Sequence, residues 1–194
     1  MNKEEQLQKL NTEMSACSKC ALRCGASRVV AGSGSADAQI MFIGEAPGKK
    51  EDELGVPFVG AAGKFLDEML ASIKLKRQDI YIANVAKCRP PENRDPLPEE
   101  IKECWPWLEQ QIQIIDPKII ITLGRHSLNR FHPEAKISQT HGVLFEKTFP
   151  NMGARYFYAL YHPAAALYNG SMREVLKKDF AKIPLILKKI KKEQ

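Results

Sequence analysis

The chain has 194 residues, of which 44% are hydrophobic and 27% are charged, and its formal net charge at neutral pH is +6. It fits one compact domain and contains neither the roughly 18 consecutive apolar residues of a membrane span nor, in MNKEEQLQKLNTEM, a secretory signal, so we expect a cytoplasmic protein with no membrane partner. The positive charge fits a nucleic-acid partner, although the basic tail LKKDFAKIPLILKKIKKEQ, taken alone, is better explained as a solvated helix face.

Short apolar runs alternate with segments of helical periodicity along the chain. The runs QIMFIGEAP, DIYIANVAK, PKIIITLGR and RYFYALYHP predict four strands, and VLFEKTF predicts an additional edge strand. Helices are predicted at AAGKFLDEMLASI, PEEIKECWPWLEQQIQII and HSLNRF, with a last helix from about Ser171 that Pro184 should interrupt. In the second of these helices Pro98 suits the first turn, Pro106 should bend the axis, and Trp105 belongs to the apolar stripe.

This alternation predicts an α/β fold with three layers, α/β/α, around a central, mainly parallel four-stranded sheet. We expect a single domain over residues 1–194. In such sheets ligands bind beyond the carboxyl ends of the strands. The Gly-rich turn GEAPGKKED, Asn84 and His162 each follow a predicted strand, so all three are expected on one rim. No single one of them is diagnostic, and their shared position is the informative feature.

A nucleotide-binding loop is not indicated. GVPFVGAAGKF resembles a phosphate loop, but Phe65 follows Lys64 where Ser or Thr should hold magnesium, and Gly60 is wrongly spaced before Gly63. A dinucleotide-binding glycine motif does not follow any predicted strand.

Four of the five cysteines form two pairs. Cys17 and Cys20 lie in CSKC, whereas Cys88 and Cys104 flank RPPENRDPLPEEIKE. Structural disulfides are rare in the cytoplasm and the count is odd, so the pairs indicate a four-thiolate metal site. The spacing favours zinc, a [4Fe–4S] cluster uses the same ligands, and buried core thiols remain the alternative. Cys24 has no partner and is interpreted as a small filler residue.

Several longer segments resemble, in order, the motifs of family 4 uracil-DNA glycosylases, the iron–sulfur branch of that superfamily. They are CSKC, GEAPGKKEDELGVPFVGAAGKFLDEML, NVAKCRPPENRDPLPEEIKEC, PKIIITLG and YHPAAAL, and they span most of the chain. The resemblance implies a monofunctional, monomeric enzyme that flips uracil out of single- or double-stranded DNA. It would hydrolyse the N-glycosidic bond to leave an abasic site, which initiates base excision repair.

The resemblance also implies a [4Fe–4S] cluster rather than zinc. Its ligands would be Cys17, Cys20, Cys88 and Cys104. The cluster would tie the N-terminal segment to the loop after Asn84 in a structural rather than a redox role.

The same resemblance assigns three residues to the uracil base. Phe58 would stack on it, although core packing is the plainer explanation of a phenylalanine. Asn84 would read O4 and N3–H with one donor and one acceptor, which cytosine cannot match. His162 would donate, as a neutral imidazole, to O2 of the leaving base and stabilise its negative charge. The predicted catalytic residues are therefore His162 and Asn84, together with Glu45.

Glu45 is included because it is the carboxylate nearest to Ala46, where many relatives carry an aspartate; ordering of the loop is its alternative role. Family 4 generally lacks this aspartate, so the base that activates water is not identified. Backbone amides of GEAPG could contact the base, and Glu51 resembles the residue that crowds out the thymine methyl group. The full predicted binding set is Gly44, Glu45, Ala46, Gly48, Glu51, Phe58, Asn84 and His162.

DNA contact is expected from the HPAAAL loop, where Ala166 or Leu167 would act as a weak wedge in the base stack. The candidate phosphate ligands are Lys49, Lys50, Lys87, Arg89 and Arg94. Asp52 is expected either to cap a helix or to be solvated. The segment NVAKCRPPENRDP lacks the histidine of the covalently crosslinking branch, so turnover is expected. Two alternatives stay open: a sibling glycosylase with broader base tolerance, and a non-catalytic, metal-stabilised DNA-binding module.

Overall fold

The computed structural model describes residues 1–193 and shows one mixed sheet between layers of helices. The strands are β1 (Ser33–Gly34), β2 (Ile40–Gly44), β3 (Tyr81–Asn84), β4 (Ile119–Leu123), β5 (Leu144–Phe149) and β6 (Gly153–Leu160). Their order across the sheet is β1-β3-β2-β4-β6-β5. The strands β3, β2, β4 and β6 run parallel, and β1 and β5 pair antiparallel at the two edges.

The predicted α/β class with a central, mainly parallel sheet is confirmed, and the complete sheet has six strands. The four central strands are the four predicted from apolar runs, and β5 is the predicted edge strand. The sixth strand, β1, consists of one serine and one glycine, and so carries no apolar pattern that the sequence could have revealed.

The described residues contain nine α-helices and two short 3-10 helices, Arg77–Asp79 and Pro91–Asn93. The α-helices are α1 (Lys3–Ser15), α2 (Leu22–Gly25), α3 (Lys49–Leu54), α4 (Ala61–Ser72), α5 (Pro98–Ile115), α6 (Arg125–Phe131), α7 (Ile137–Thr140), α8 (Ala165–Tyr168) and α9 (Gly170–Glu193). No helix among residues 1–193 is long and apolar enough to cross a bilayer.

Alternate residues of the central strands face two separate cores, because successive side chains of a strand point to opposite faces. On one face Phe42 and Ile121 pack with apolar residues of α4 and α9. On the other face Met41 and Ile120 pack with apolar residues of α5 and α6. Every residue of β2, β3 and β4 is buried. The sheet is therefore covered on both faces, which leaves its carboxyl-end rim as the place for a site.

The predicted interruption of the last helix at Pro184 is wrong. Pro106 lies inside α5 and Pro184 lies inside α9, and both helices continue through them. In α9 the residues Phe180, Ile183 and Ile190 are fully buried on both sides of Pro184. Packing of this apolar face therefore holds the helix together where the missing backbone N–H would otherwise end it.

In α5 Trp107 is more deeply buried than Trp105, which differs from the predicted stripe. Trp105 is half-buried and packs beside Phe131. Trp107 is 8% exposed because α1 covers a second side of α5 with Leu10 and Met14. The sequence pattern showed only the side of α5 that faces the sheet.

The N-terminal segment also contacts α3. Asp52, only 4% exposed, accepts hydrogen bonds from the backbone N–H groups of Ser27 and Arg28 at 3.0–3.3 Å. Both expectations for Asp52, a helix cap or a solvated group, are therefore wrong. This carboxylate anchors the segment that follows Cys20 and Cys24.

Candidate active site

A cavity of about 370 Å³ opens at the carboxyl ends of the central strands. This volume suits a small ligand, since binding pockets usually fall between roughly 300 and 1,000 Å³. Seven of the eight predicted binding residues line it: Glu45, Ala46, Gly48, Glu51, Phe58, Asn84 and His162. The structure thus brings together residues that are separated by more than a hundred positions in the chain.

The eighth residue, Gly44, lies beneath the cavity and makes its geometry possible. It pairs directly with Asn84 across β2 and β3. A Cβ atom at Gly44 would collide with Asn84 Oδ1 and lie 2.8 Å from Cζ of Phe58. Only glycine lets the carboxamide and the aromatic ring approach the strand end together.

The Asn84 carboxamide is 2% exposed, and its Oδ1 is buried without a hydrogen-bond partner in the described residues. An unpaired buried acceptor costs about 1–3 kcal/mol. Proteins retain such an unpaired atom where a ligand supplies the missing donor. The Asn84 Oδ1 atom is therefore the clearest sign of a binding function in the cavity.

Phe58 adopts an unusual backbone conformation with φ of 54°, and its ring lies 5.5 Å from the His162 ring. A non-glycine residue in this region is strained, and such strain persists only when the surroundings enforce it. Arg77 donates to the carbonyl oxygens of Pro57 and Phe58. Glu51 Oε1 accepts from the N–H groups of Val59 and Gly60 at 2.9 and 2.8 Å.

These contacts give Glu51 a structural role that the sequence did not reveal, since its carboxylate fixes the loop that carries the Phe58 ring. Arg77 was missed altogether. Its position in KLKRQD, a polar segment before a strand, gives no sequence signal of a contact with the pocket.

His162 has a defined proton position. Its Nδ1 accepts a hydrogen bond from the Ala164 N–H at 3.1 Å, so in the neutral ring the proton is on Nε2. Burial lowers the pKa of His162 to about 4, against a smaller opposing effect of Glu51. The imidazole is therefore a neutral N–H donor near pH 7. Gly124, with φ of 88°, leaves space beside it, since a Cβ there would lie 3.0 Å from His162 Cβ.

A group of charged residues surrounds Glu45 at the cavity rim. Burial, with a further contribution from Asp95, raises the pKa of Glu45 to about 7. His126 Nδ1 lies 3.6 Å from Glu45 Oε1, and His126 Nε2 lies 3.2 Å from Asp95 Oδ2. Arg125 Nε donates to His126 Nε2 at 2.9 Å. The sequence analysis missed His126 and Asp95, although His126 follows a strand as Asn84 and His162 do.

Glu45, Asp95 and His126 each place a possible metal-ligand atom within 4.8 Å of the others. The Arg125 guanidinium already supplies positive charge to the same group, 3.7 Å from Asp95. We therefore assign no metal to these residues.

Four cysteines line a second, smaller cavity between the N-terminal segment and α5. They are Cys17, Cys20, Cys88 and Cys104, whereas Cys24 is exposed and lies outside this cavity. Burial, followed by the neighbouring thiols, raises the pKa of Cys88 to about 12. The Cys88 sulfur would therefore become a thiolate only with a positively charged group beside it. Across the described residues, no three of these sulfurs lie within 4.8 Å of one another.

The candidate DNA contacts are only partly accessible. Lys49 and Lys50 are exposed, whereas Arg94 pairs with Glu100 through two hydrogen bonds of 2.9 and 2.7 Å. The prediction that Lys87 binds a phosphate is wrong, because its side chain is 2% exposed. Arg89 is half-buried and donates to Asn93.

The residues of the loop that was expected to supply a wedge differ in their exposure to solvent. Ala166 is 7% exposed and packs in the core, so it cannot enter a base stack. Leu167 is 43% exposed, and Tyr168, which the sequence analysis overlooked, is 90% exposed.

Comparison with known proteins agrees with this geometry. The family model described as the uracil DNA glycosylase superfamily matches residues 31–186. The chain belongs to the uracil-DNA glycosylase superfamily. It is 46% identical to the type-4 uracil-DNA glycosylase of Archaeoglobus fulgidus over 92% of each chain, and 38% identical to that of Thermotoga maritima over 96% of this chain and 97% of the relative.

These relatives identify the chain as a member of the type-4 branch, as the sequence motifs indicated. A type-5 uracil-DNA glycosylase of Thermus thermophilus is more distant, at 29% identity over 70% of this chain and 69% of the relative. The superfamily match begins after Cys17 and Cys20. The alignment with the Thermotoga protein covers 96% of this chain, so the few residues it omits cannot extend from the N-terminus as far as Cys17. That alignment therefore includes Cys17 and Cys20.

Proposed function

We propose that this protein removes uracil from DNA by hydrolysing its N-glycosidic bond, and that the cavity at the rim of the sheet holds the flipped base. The observation that carries the proposal is the buried Asn84 carboxamide, whose Oδ1 lacks a donor in a cavity shared with Phe58 and His162. A base inside the duplex is inaccessible to a cavity of this kind, so the nucleotide must be extruded first. The names of the type-4 relatives support uracil as that base.

Base selection is assigned to Asn84. The N3–H of uracil would satisfy the unpaired Oδ1, and the Nδ2 group would donate to O4. Cytosine presents an acceptor at N3 and a donor at its exocyclic amine, so both contacts would be reversed. A buried site that pairs polar edges rejects such a mismatch strongly, because its own groups are left unpaired. Phe58 would stack on the base from its fixed position beside Gly44.

Bond cleavage leaves negative charge on uracil, and His162 is assigned to stabilise it. The Nε2–H donor is preformed, because the Ala164 N–H fixes the ring from the other side. A donor that is already oriented needs no reorganisation as the charge develops. The low pKa of His162 keeps it neutral, so its role is hydrogen bonding rather than proton transfer.

Glu45 is assigned to the water. Its carboxylate lines the cavity, its Oε1 has no hydrogen-bond partner in the described residues, and its pKa lies near neutrality. A general base works best when its pKa lies near the operating pH. His126 and Asp95 would then influence the charge state of Glu45 without contacting uracil.

The four-cysteine cavity is assigned to a [4Fe–4S] cluster. Four thiolates on a single zinc ion, each at about 2.3 Å, would lie much closer than 4.8 Å to one another, and these sulfurs do not. A four-iron cluster binds each cysteine through a different iron and so accepts wider spacing. When bound, the cluster supplies a rigid connection between the N-terminal segment, the loop after β3 and α5, and so completes a single domain.

The central test is strand cleavage at uracil. We expect the wild-type protein to produce alkali-labile sites at the single uracil of both single-stranded and duplex oligonucleotides. His162→Ala should bind the same DNA within a few-fold but cleave about 100- to 1,000-fold more slowly in single turnover. Unchanged cleavage by His162→Ala would show that the imidazole is structural, and binding without breakage by the wild type would support a DNA-binding module.

A pH profile tests the role of Glu45. Its reactive form is the carboxylate, and its pKa is raised to about 7, so the single-turnover rate should rise about tenfold per pH unit below neutrality and level off above it. Because the pKa of His162 is about 4, that residue should add no step near pH 6.5. Glu45→Gln should lose the rise, and the exposed Glu53→Gln should retain it. A wild-type rate that is independent of pH from about 5.5 to 8.5 would exclude Glu45 as the base.

The metal assignment is tested by cysteine variants. Cys17→Ser and Cys104→Ser should lose iron, absorbance at about 400 nm and soluble yield together, because metal binding and folding are coupled. Cys24→Ser is the matched control and should retain all three. Full iron content in either ligand variant, or zinc in the wild type, would contradict the assignment.

A further inference from the structure

Lys87 is an unusual buried residue that the proposed mechanism leaves unexplained. Its side chain is among the largest of those fully enclosed in the protein. A lysine is rarely buried, since its head group must be removed from water and then fully hydrogen-bonded. Sites that bear such a cost are often functional, and the contacts of Lys87 indicate what this function is.

The Lys87 head group connects the base-reading strand to α5. Its Nζ donates to the backbone carbonyl of Asn84 at 2.9 Å and to Gln111 Oε1 at 2.6 Å. Gln111 is itself fixed, because its Nε2 lies 2.8 Å from the Ala31 carbonyl and 3.1 Å from the Tyr81 hydroxyl. Gln111 therefore holds the Lys87 Nζ group in position to donate to the Asn84 carbonyl.

The backbone of Lys87 connects the same segment to the cysteines. Its N–H lies 3.4 Å from Cys104 Sγ, and its carbonyl accepts from the Val30 N–H at 2.8 Å. Cys88 follows directly in the chain. One residue thus contacts the peptide of Asn84 on one side and a cysteine of the four-cysteine cavity on the other.

Asn84 needs this support because it lies at the end of its strand. Beyond it, only the N–H groups of Val85 and Ala86 continue the pairing with Gly44 and Glu45. The carboxamide projects from this last position towards the cavity, so a rotation of the Asn84 peptide would move Oδ1 directly. Displacements of about 1 Å at a reacting centre can cost about 100-fold in rate.

We propose that Lys87 is a positioning residue that fixes the Asn84 peptide and so couples the four-cysteine site to base recognition. This inference depends on the proposed function, in which Asn84 reads uracil. The hydrogen bonds of the Lys87 ammonium group hold the Asn84 peptide, and so its carboxamide, in place in the cavity. The Lys87 backbone contacts Cys104 and precedes Cys88, so it fixes the same segment relative to the cysteines.

The direct test is Lys87→Met, which keeps the length of the side chain and removes the donors. We expect full iron content and DNA binding within a few-fold of wild type, with single-turnover uracil cleavage reduced about 100-fold. Lys102→Met is the matched control, because Lys102 is an exposed lysine on α5, and it should cleave normally. Normal cleavage by Lys87→Met would overturn the inference, and so would loss of iron in proportion to activity.

A double variant shows whether Lys87 acts through Asn84. If it does, Lys87→Met should cause no further loss in an Asn84→Ala background, since no carboxamide remains to be positioned. A full additional loss there would mean that Lys87 acts elsewhere and would overturn the inference. Where Lys87→Met fails to fold, Gln111→Met replaces it as the test. That variant should retain iron and cleave about tenfold more slowly, and normal cleavage would contradict the inference.

The outcome for the wild type separates this inference from the proposed function. A wild-type protein that cleaves uracil while Lys87→Met matches it in rate would refute only the positioning role. A wild-type protein that does not cleave uracil would refute both.

Discussion

The pairing of Gly44 with Asn84 across β2 and β3 is the constraint on which the pocket depends. It brings the carboxyl ends of two parallel strands to the same level, and the missing side chain of Gly44 leaves space for two other groups. Asn84 Oδ1 and the Phe58 ring both occupy that space. Any change in register would move the carboxamide away from the ring, because a one-residue slip turns side chains to the opposite face.

Strain and unpaired polar groups accumulate around this contact, and the surrounding structure compensates for them. Phe58 holds a positive φ because Arg77 and Glu51 bind the backbone on either side of it. A Cβ atom at Gly63 would also collide with the Phe58 carbonyl, so the helix α4 begins directly against this loop. Rigid support of this kind allows a site to bind a base without reorganisation.

The cavity at the sheet rim and the four-cysteine cavity are linked by a short segment of the chain. Asn84 ends β3 and Cys88 follows four residues later. Between them, Lys87 donates from its side chain to the Asn84 carbonyl and from its backbone N–H to Cys104 Sγ. A cluster at the cysteines would therefore stabilise more than the N-terminal segment, since it would also define the path of the chain that leaves the cavity at the sheet rim. A structural role for the proposed cluster would follow from this arrangement.

The sequence predicted those features that depend on local pattern. The apolar runs around Phe42, Ile82, Ile121 and Tyr158 are long enough to identify the central strands. Because ligands bind beyond the carboxyl ends of such strands, the sequence also predicted that Asn84 and His162 lie on the same rim. The sequence could not reveal β1, since a Ser-Gly pair has no periodicity. It also could not reveal the burial of Lys87, since a lysine in a polar loop resembles a surface charge. Contacts such as those of Arg77 and His126 depend on tertiary packing, which no local pattern encodes.

The most direct measurement is the base preference of Asn84→Asp, compared with Asn93→Asp, which changes an exposed residue lining the same cavity in the same way. Single-turnover cleavage of matched uracil and cytosine oligonucleotides should be followed across pH. Because the carboxylate lacks the donor for O4, we predict a loss of uracil cleavage of at least about 100-fold at neutral pH, with any residual activity shifted towards cytosine. Relative to the wild type at the same pH, part of the uracil activity should return at low pH, where the buried carboxyl group at position 84 protonates. Wild-type uracil cleavage by Asn84→Asp at neutral pH would contradict the assignment of base recognition to this residue.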